Sequence, residues 1–292
     1  MWITLDAVGI FFALRLLPTG TNLSHMDFRV DPKAGNAIEF CDPSNPQFIP
    51  VVAAKSPVMM SVTTAEPPAV GREVRASVTL QTSSGKPVAA EDLLISHTRR
   101  LHLLIVDPVL ADYQHVHPEP GRKPGEWTFA FTPRAAGLYR IFGDFTPAAT
   151  ARGLYAAVDL EIAGGASAAA RPGRGAAVTR EGVRFGLAAA RTPVRAGQPI
   201  DLRFTLARDD GAAVALAPVM GAFAHLVAFD EARSGFAHLH PAEVDLAKPP
   251  DAARPVLNFK LTIPRAGHYV VWAQVNLGGR ETFVPFGIDV VE

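Results

Sequence analysis

A chain of 292 residues with 28 Lys+Arg against 28 Asp+Glu carries no formal net charge at pH 7, so it lacks the basic excess that phosphate neutralisation needs and nucleic acid is not an expected partner. Hydrophobic residues reach 48% and charged residues only 19%, which excludes a disordered chain and, at this length, suits two packed domains. The single cysteine, Cys41, excludes an intramolecular disulfide, a CxxC zinc site and a cysteine-held iron–sulfur cluster.

The chain opens on an apolar run, Ala7 to Leu14, that stops at Arg15, far short of the roughly 20 residues a spanning helix requires, so no membrane span is expected. Asp6 before the run and the lack of an A-x-A site after it make an irregular export signal. Phe40 to Pro50 (FCDPSNPQFIP) holds three prolines and should be extended, ordered only by docking on something else. Residues 1–59 are therefore read as an apolar segment followed by an irregular lead-in.

From residue 60 onward the sequence repeats itself. Val70–Leu80 with a glycine turn after it corresponds to Arg195–Leu206, and LHLLIVDPVLADYQHVHPE (101–119) to AHLVAFDEARSGFAHLHPAE (224–243). AAGLYRIFGDF (135–145) then corresponds to RAGHYVVWAQV (265–275). Between the copies, Ala163–Ala177 is small, glycine- and proline-bearing and without apolar period, which is linker chemistry. The expected domains are 60–163 and 178–292, joined by a linker at 164–177. Alternating runs in each copy, near Glu73–Leu80, Leu101–Val106, Tyr113–His117, Trp127–Thr132, Gly137–Phe145 and Tyr155–Ile162 and their counterparts, recur every ten to fifteen residues or so with turn residues between them. The fold class is all-β, two tandem immunoglobulin-like antiparallel β-sandwiches.

Seven of the nine histidines fall in or beside the repeated blocks. On a strand His115 and His117 share a face, as do His238 and His240. If Leu101–Val106 and Tyr113–His117 form a hairpin closed by Asp107–Asp112, Val106 pairs with Tyr113 and His102 falls opposite His117. The same count sets His225 opposite His240, so each copy can converge three imidazoles on one ion. Pro118 and Pro241 end these strands, which suggests a cluster at a sandwich end. Five residues before His102 stands His97, and five before His225 stands Met220. Both are ligand types, and an aligned His/Met exchange favours copper over zinc. Strict alternation puts His97 on the face opposite His102, so a turn near Thr98–Arg100 and Gly221–Phe223 is required. Asp144 and Gln274 also align and are candidates to orient a ligand ring.

Blander readings stand beside these. The HxHP block could simply hydrogen-bond a loop. A lone histidine such as His25 or His268 is ordinarily a satisfied structural residue. Tyr139 and Tyr269, each following a glycine, suit a hydroxyl that pins a sandwich corner. Met59 and Met60, with His25 and Met26, are soft ligands without repeat support.

The blocks HLLIVDPVLADYQHVHP and HLVAFDEARSGFAHLHP, each followed by G-x-Y and an aromatic strand, resemble those of bacterial exported proteins with tandem immunoglobulin-like domains of the YtkA-like kind. GHYVVWAQV is also loosely similar to a strand of the copper-resistance protein C family. These resemblances imply a periplasmic or secreted metal-handling protein, although the N-terminal histidine on which the copper carriers rely has no counterpart here. Blue-copper electron transfer needs a cysteine thiolate, and Cys41 lies outside both copies. With no G-x-S-x-G elbow, P-loop or HExxH, an enzyme is not expected. The leading expectation is copper carriage or delivery through His97, His102, His115 and His117 in one copy and Met220, His225, His238 and His240 in the other. The alternatives are a structural sandwich that docks another envelope protein and, behind that, a histidine-ligated metalloenzyme.

Overall fold

The computed structural model describes residues 23–28, 46–54, 56–165, 172–173 and 175–292. Cys41, the Ala7–Leu14 run and much of the expected linker lie outside the described residues. Among the described residues no helix is long and apolar enough to cross a membrane.

The first copy contributes strands β1 (Val58–Thr64), β2 (Val74–Thr82), β3 (Leu101–Val106), β4 (Tyr113–Val116), β5 (Glu126–Phe131), β6 (Gly137–Pro147) and β7 (Leu154–Ile162). The second contributes β8 (Ala177–Arg180), β9 (Val183–Ala189), β10 (Pro199–Arg208), β11 (Ala224–Asp230), β12 (Phe236–Leu239), β13 (Val256–Thr262), β14 (Gly267–Leu277) and β15 (Arg280–Val291). In each copy two antiparallel sheets face one another: β1-β2-β5 against β7-β6-β3-β4, and β8-β9-β10-β13 against β15-β14-β11-β12. Strand β1 begins the first sheet inside the segment read as lead-in, and β8 and β9 were not foreseen as strands.

Alternation builds a core within each copy. Val74, Ala76, Val78 and Leu80 on β2 face Leu101, Leu103 and Ile105 on β3, while Leu202, Phe204 and Leu206 on β10 face Ala224, Leu226 and Ala228 on β11. The corners are pinned as the glycine–tyrosine pairs suggested. Tyr139 Oη donates to Asp112 Oδ2 at 2.7 Å and accepts from the Ala135 amide at 3.1 Å, and Tyr269 Oη donates to the Arg265 carbonyl at 3.0 Å.

A third apolar cluster lies between the copies. Leu104, Val106, Tyr113 and Phe142 of the first pack with Val227, Phe229, Phe236, Val270 and Trp272 of the second. These residues occupy the outer faces of the β3 and β11 sheets, so both strands are buried on both sides. The lead-in docks across this seam. Ile49 exchanges backbone hydrogen bonds with Phe236 at 2.8 and 3.1 Å, Phe48 enters the second core, and Ile49 and Val51 enter the shared one.

Candidate metal centre

The hairpin register follows from the turn. Val106 pairs with Tyr113 and Leu103 with Val116; one further step sets His102 against His117. In the second copy Leu226 pairs with Leu239, and the next step sets His225 against His240. His102, His115 and His117 offer ligand atoms within 4.8 Å of one another, and so do His225, His238 and His240. Their place differs from the expected sandwich end. Because the second copy covers the outer face of β3 and β4, the rings lie in the seam: His102, His115 and His225 are buried, 2%, 7% and 0% exposed, while His117, His238 and His240 are half-buried.

The outer nitrogens of the rings have partners that fix their protons. His102 Nε2 donates to the Ser96 carbonyl at 3.0 Å and His225 Nε2 to the Val219 carbonyl at 3.0 Å. His115 Nδ1 meets Gln274 Oε1 at 3.0 Å, and the Gln274 amide is held in that orientation because its Nε2 donates to Glu281 Oε2 at 2.7 Å. His238 Nδ1 meets Asp144 Oδ2 at 3.2 Å, and an ionised carboxylate can only accept. Each of these rings therefore spends its proton outward and presents a bare lone pair inward. His102 Nδ1 faces His115 Nε2 at 3.1 Å and His225 Nδ1 faces His238 Nε2 at 3.2 Å. The third nitrogens, His117 Nε2 and His240 Nε2, are buried without a hydrogen-bond partner. Two inward lone pairs and one unpartnered ring nitrogen per copy are thus left unsatisfied by protein, a donor set that fits a cation. Nitrogens bound tetrahedrally to one ion at 2.0–2.1 Å stand about 3.3 Å apart.

The orienting residues are exchanged between the copies. Asp144 is the register partner of His102 on β6 but binds His238, and Gln274 is the register partner of His225 on β14 but binds His115. Ring contacts bring the triads together, with centroids 5.5 Å apart for His115 and His238, 5.9 Å for His102 and His238, and 6.4 Å for His115 and His225.

The required turns are present. Ser96 and Arg99 exchange backbone hydrogen bonds at 2.8 and 3.0 Å, and so do Val219 and Ala222 at 2.7 and 3.1 Å. The central residues all have positive φ, 48° and 72° at His97 and Thr98, 49° and 78° at Met220 and Gly221. This is the pattern of a two-residue hairpin turn, in which β-branched Thr98 is strained and Gly221 is not. The turn does not return His97 to its own triad. Its ring is 6.2 Å from His102 but stacks on His240 of the second copy at 3.7 Å and 27°. Stacked rings hold their nitrogen lone pairs in separate parallel planes, so His97 covers the second triad in place of completing the first. Met220 is half-buried at the turn position equivalent to His97.

Burial keeps the rings neutral. It holds His115 and His238 well below the usual imidazole range, His102, His97 and His240 below it, His117 down to about 4 and His225 down to about 3. Burial pushes the Asp144 carboxyl upward, opposed by the nearby His102 and His97. Neutral imidazole is the ligand form. A groove of about 1050 Å³ lined by His97, His240, Pro241, Arg203, Phe259 and Lys260, among others, opens beside the second triad.

Other candidate ligands are not at the centre. Met60 is in the first core and Met59 is exposed, His25 and Met26 sit in a short 3₁₀ turn, and His268 pairs with Asp289 Oδ1 at 2.7 Å. Sequence reasoning missed the Ser96 and Val219 carbonyls and Glu281. A backbone acceptor leaves no trace in residue type.

Residues 56–162 and 177–292 each match a family model described as a domain of unknown function, DUF8832, and the chain belongs to that family. No curated protein matches the chain. Similar solved structures include the adhesin FdeC of Escherichia coli (14% identity, TM-score 0.25, 80% of this chain and 64% of that one). Others are a transglutaminase of red sea bream (6%, 0.25, 82% and 32%) and a DUF4785 family protein of Legionella pneumophila (10%, 0.24, 79% and 55%). The chain spans less than two thirds of the length of each, and at these scores none bears on function.

Proposed function

We propose that this chain, which belongs to the DUF8832 family and carries its domain twice, binds two copper ions in the seam between its copies and carries them in the cell envelope. The observation behind this reading is the pair of inward-facing lone pairs in each triad, His102 Nδ1 on His115 Nε2 and His225 Nδ1 on His238 Nε2. A protein that needed these histidines only as hydrogen-bonding spacers would not leave neutral acceptors facing each other in a buried seam, where each unsatisfied group costs about 1–3 kcal/mol. A cation in each triad satisfies them.

Imidazole suits copper and zinc alike. The closeness of the triads favours the ion of lower charge, since two dications repel about four times as strongly as two monocations at any given separation. Against six neutral rings the one carboxylate hydrogen-bonded to a ligand ring among the described residues is Asp144, which offsets little. Cu(I) therefore fits better than Zn(II) or Cu(II). Carriage fits better than catalysis because Asp144 and Gln274, the side chains beside the rings that could take up a proton or orient a substrate, are both occupied in holding rings. The envelope location rests on the resemblance of the histidine blocks to exported proteins.

A second reading draws on the outer nitrogens. His102 and His225 each fix a two-residue turn through Ser96 and Val219, as purely structural histidines would. Anaerobic Cu(I) titration with elemental analysis separates the two. Two ions per chain support carriage; less than one, or uptake unchanged in His117→Ala/His240→Ala, leaves the histidines structural.

A further inference from the structure

We infer that the two triads form one dinuclear centre assembled crosswise, each copy orienting the other's ligands, and that the triad of His225, His238 and His240 fills first. This rests on the metal-binding reading above and adds to it the coupling and the order.

The crosswise assembly follows from which ring each acceptor reaches. Asp144 stands opposite His102 in its own sheet, but the outer nitrogen of that ring is already bound to Ser96, and the carboxylate reaches over the seam to His238. Gln274 repeats this from the other side, standing opposite His225 and reaching His115. Neither triad thus has its orienting acceptor unless the other copy is docked. His97 adds a third crossing, from the first copy onto His240.

The order follows from the one chemical difference between the two acceptors. An acceptor on the far nitrogen fixes the ring and raises its basicity toward a metal, more so when it is anionic. The second triad has a carboxylate directly on His238. The first has a neutral amide on His115, with the carboxylate of Glu281 one residue further out and exposed. The first ion therefore settles in the second triad, beside Asp144. The next must enter a triad whose rings stand 5.5–6.4 Å from rings of the triad already holding a cation, in a seam where solvent screens little, so it binds more weakly. A chain loaded with one equivalent should hold it in the second triad.

Competition titration of the full chain with Cu(I) under anaerobic conditions, against a chromophoric chelator, tests this. The wild type should bind in two resolved steps. His115→Ala should keep the tighter step and lose the weaker, whereas His238→Ala should leave only a weak one. In the His238→Ala background, Gln274→Ala should weaken the remaining first-copy site by roughly 10–100-fold, although Gln274 belongs to the second copy. Gln274→Glu, close in size, should tighten that site and narrow the gap between the steps in an otherwise wild-type chain. Two equal and independent steps overturn the inference, as does a Gln274→Ala effect confined to the second-copy site measured in the His115→Ala background. In either case copper still binds and the carriage reading survives. No copper bound at all removes both.

Discussion

The two triads are near copies in their inner geometry and unlike at their margins. The facing nitrogens stand 3.1 Å apart in one and 3.2 Å in the other, and the outer nitrogens of His102 and His225 both end on a turn carbonyl at 3.0 Å. Around these constants the acceptor is an amide in one case and a carboxylate in the other, and the turn residue is His97 in one and Met220 in the other. Ring placement is thus the part of the duplicated unit held fixed within this chain, while the surroundings have diverged in charge and softness. The same frame can therefore hold two sites of different strength.

The strongest way to break the comparison is to remove one ring from each triad at the same register position. His117→Ala with His240→Ala should abolish copper retention after desalting, measured by elemental analysis; two ions retained would show that the triads are not the sites. Next in size is the seam itself. Trp272, 4% exposed, donates to the Leu110 carbonyl of the first copy at 3.2 Å, and Trp272→Ala should cost about 3–5 kcal/mol. In calorimetry the change should uncouple the copies into two melting transitions, because each keeps its own core. A single transition at the wild-type temperature would mean that the seam contributes nothing.

Acid sharpens the comparison less drastically. For the metal-free chain, the folded-state His117 and His225 titrate at about 4 and about 3, both below the usual value of about 6.5 that they regain on unfolding. The unfolded chain then binds more protons between these values, so stability should fall as pH drops from about 6.5 toward 4. Thermal melts across that window check the sign. A metal-free chain equally stable at pH 4.5 and 7.5 would show the rings to be hydrated and not enclosed. Smallest are the turn residues. Met220→Ala and His97→Ala should each weaken Cu(I) binding by about tenfold or less, His97→Ala acting on the second-copy site that its ring covers. An effect of His97→Ala restricted to the first-copy site would restore it as a ligand of its own triad.

The hairpins were legible because a strand's side chains alternate and a turn fixes the register: the pairing of Val106 with Tyr113 needed only counting. The need for a turn before His102 and His225 was legible for the same reason, from their odd spacing to His97 and Met220, although it was expected near Thr98–Arg100 and Gly221–Phe223 and falls at His97–Thr98 and Met220–Gly221. What the strands pack against was not. LHLLIV and AHLVAF are unbroken apolar runs with one histidine each, the pattern of strands buried on both faces; the cluster was nevertheless expected at a sandwich end, and such a run does not say what covers its outer face. The reach of Asp144 and Gln274 over the seam, and of His97 onto His240, depends on how two folded sheets dock, and no local spacing encodes it. Strand β1 was missed for a different reason, since its VMMSVTT run follows a proline-rich stretch and looks like a continuation of it.

The contacts across the seam are reciprocal. Arg140 Nη1 donates to the Arg233 carbonyl at 2.8 Å, and Arg233 Nη1 donates to Leu138 at 2.6 Å; the crossed ring orientations of the two triads follow the same rule. Reciprocity of this kind is what an isologous homodimer shows, in which one patch meets itself about a two-fold axis. The chain therefore encloses within itself what a single-copy protein would have to obtain from a second molecule. A chain with one such unit would expose the Leu104–Tyr113–Phe142 face and a triad lacking its orienting acceptor. Pairing with its own kind would cover the first and supply the second, so that in such a chain metal uptake and self-association would rise together with concentration. Joining the two units in one polypeptide removes that dependence on concentration, and it also frees the two halves of the pair to differ, as Asp144 and Gln274 do.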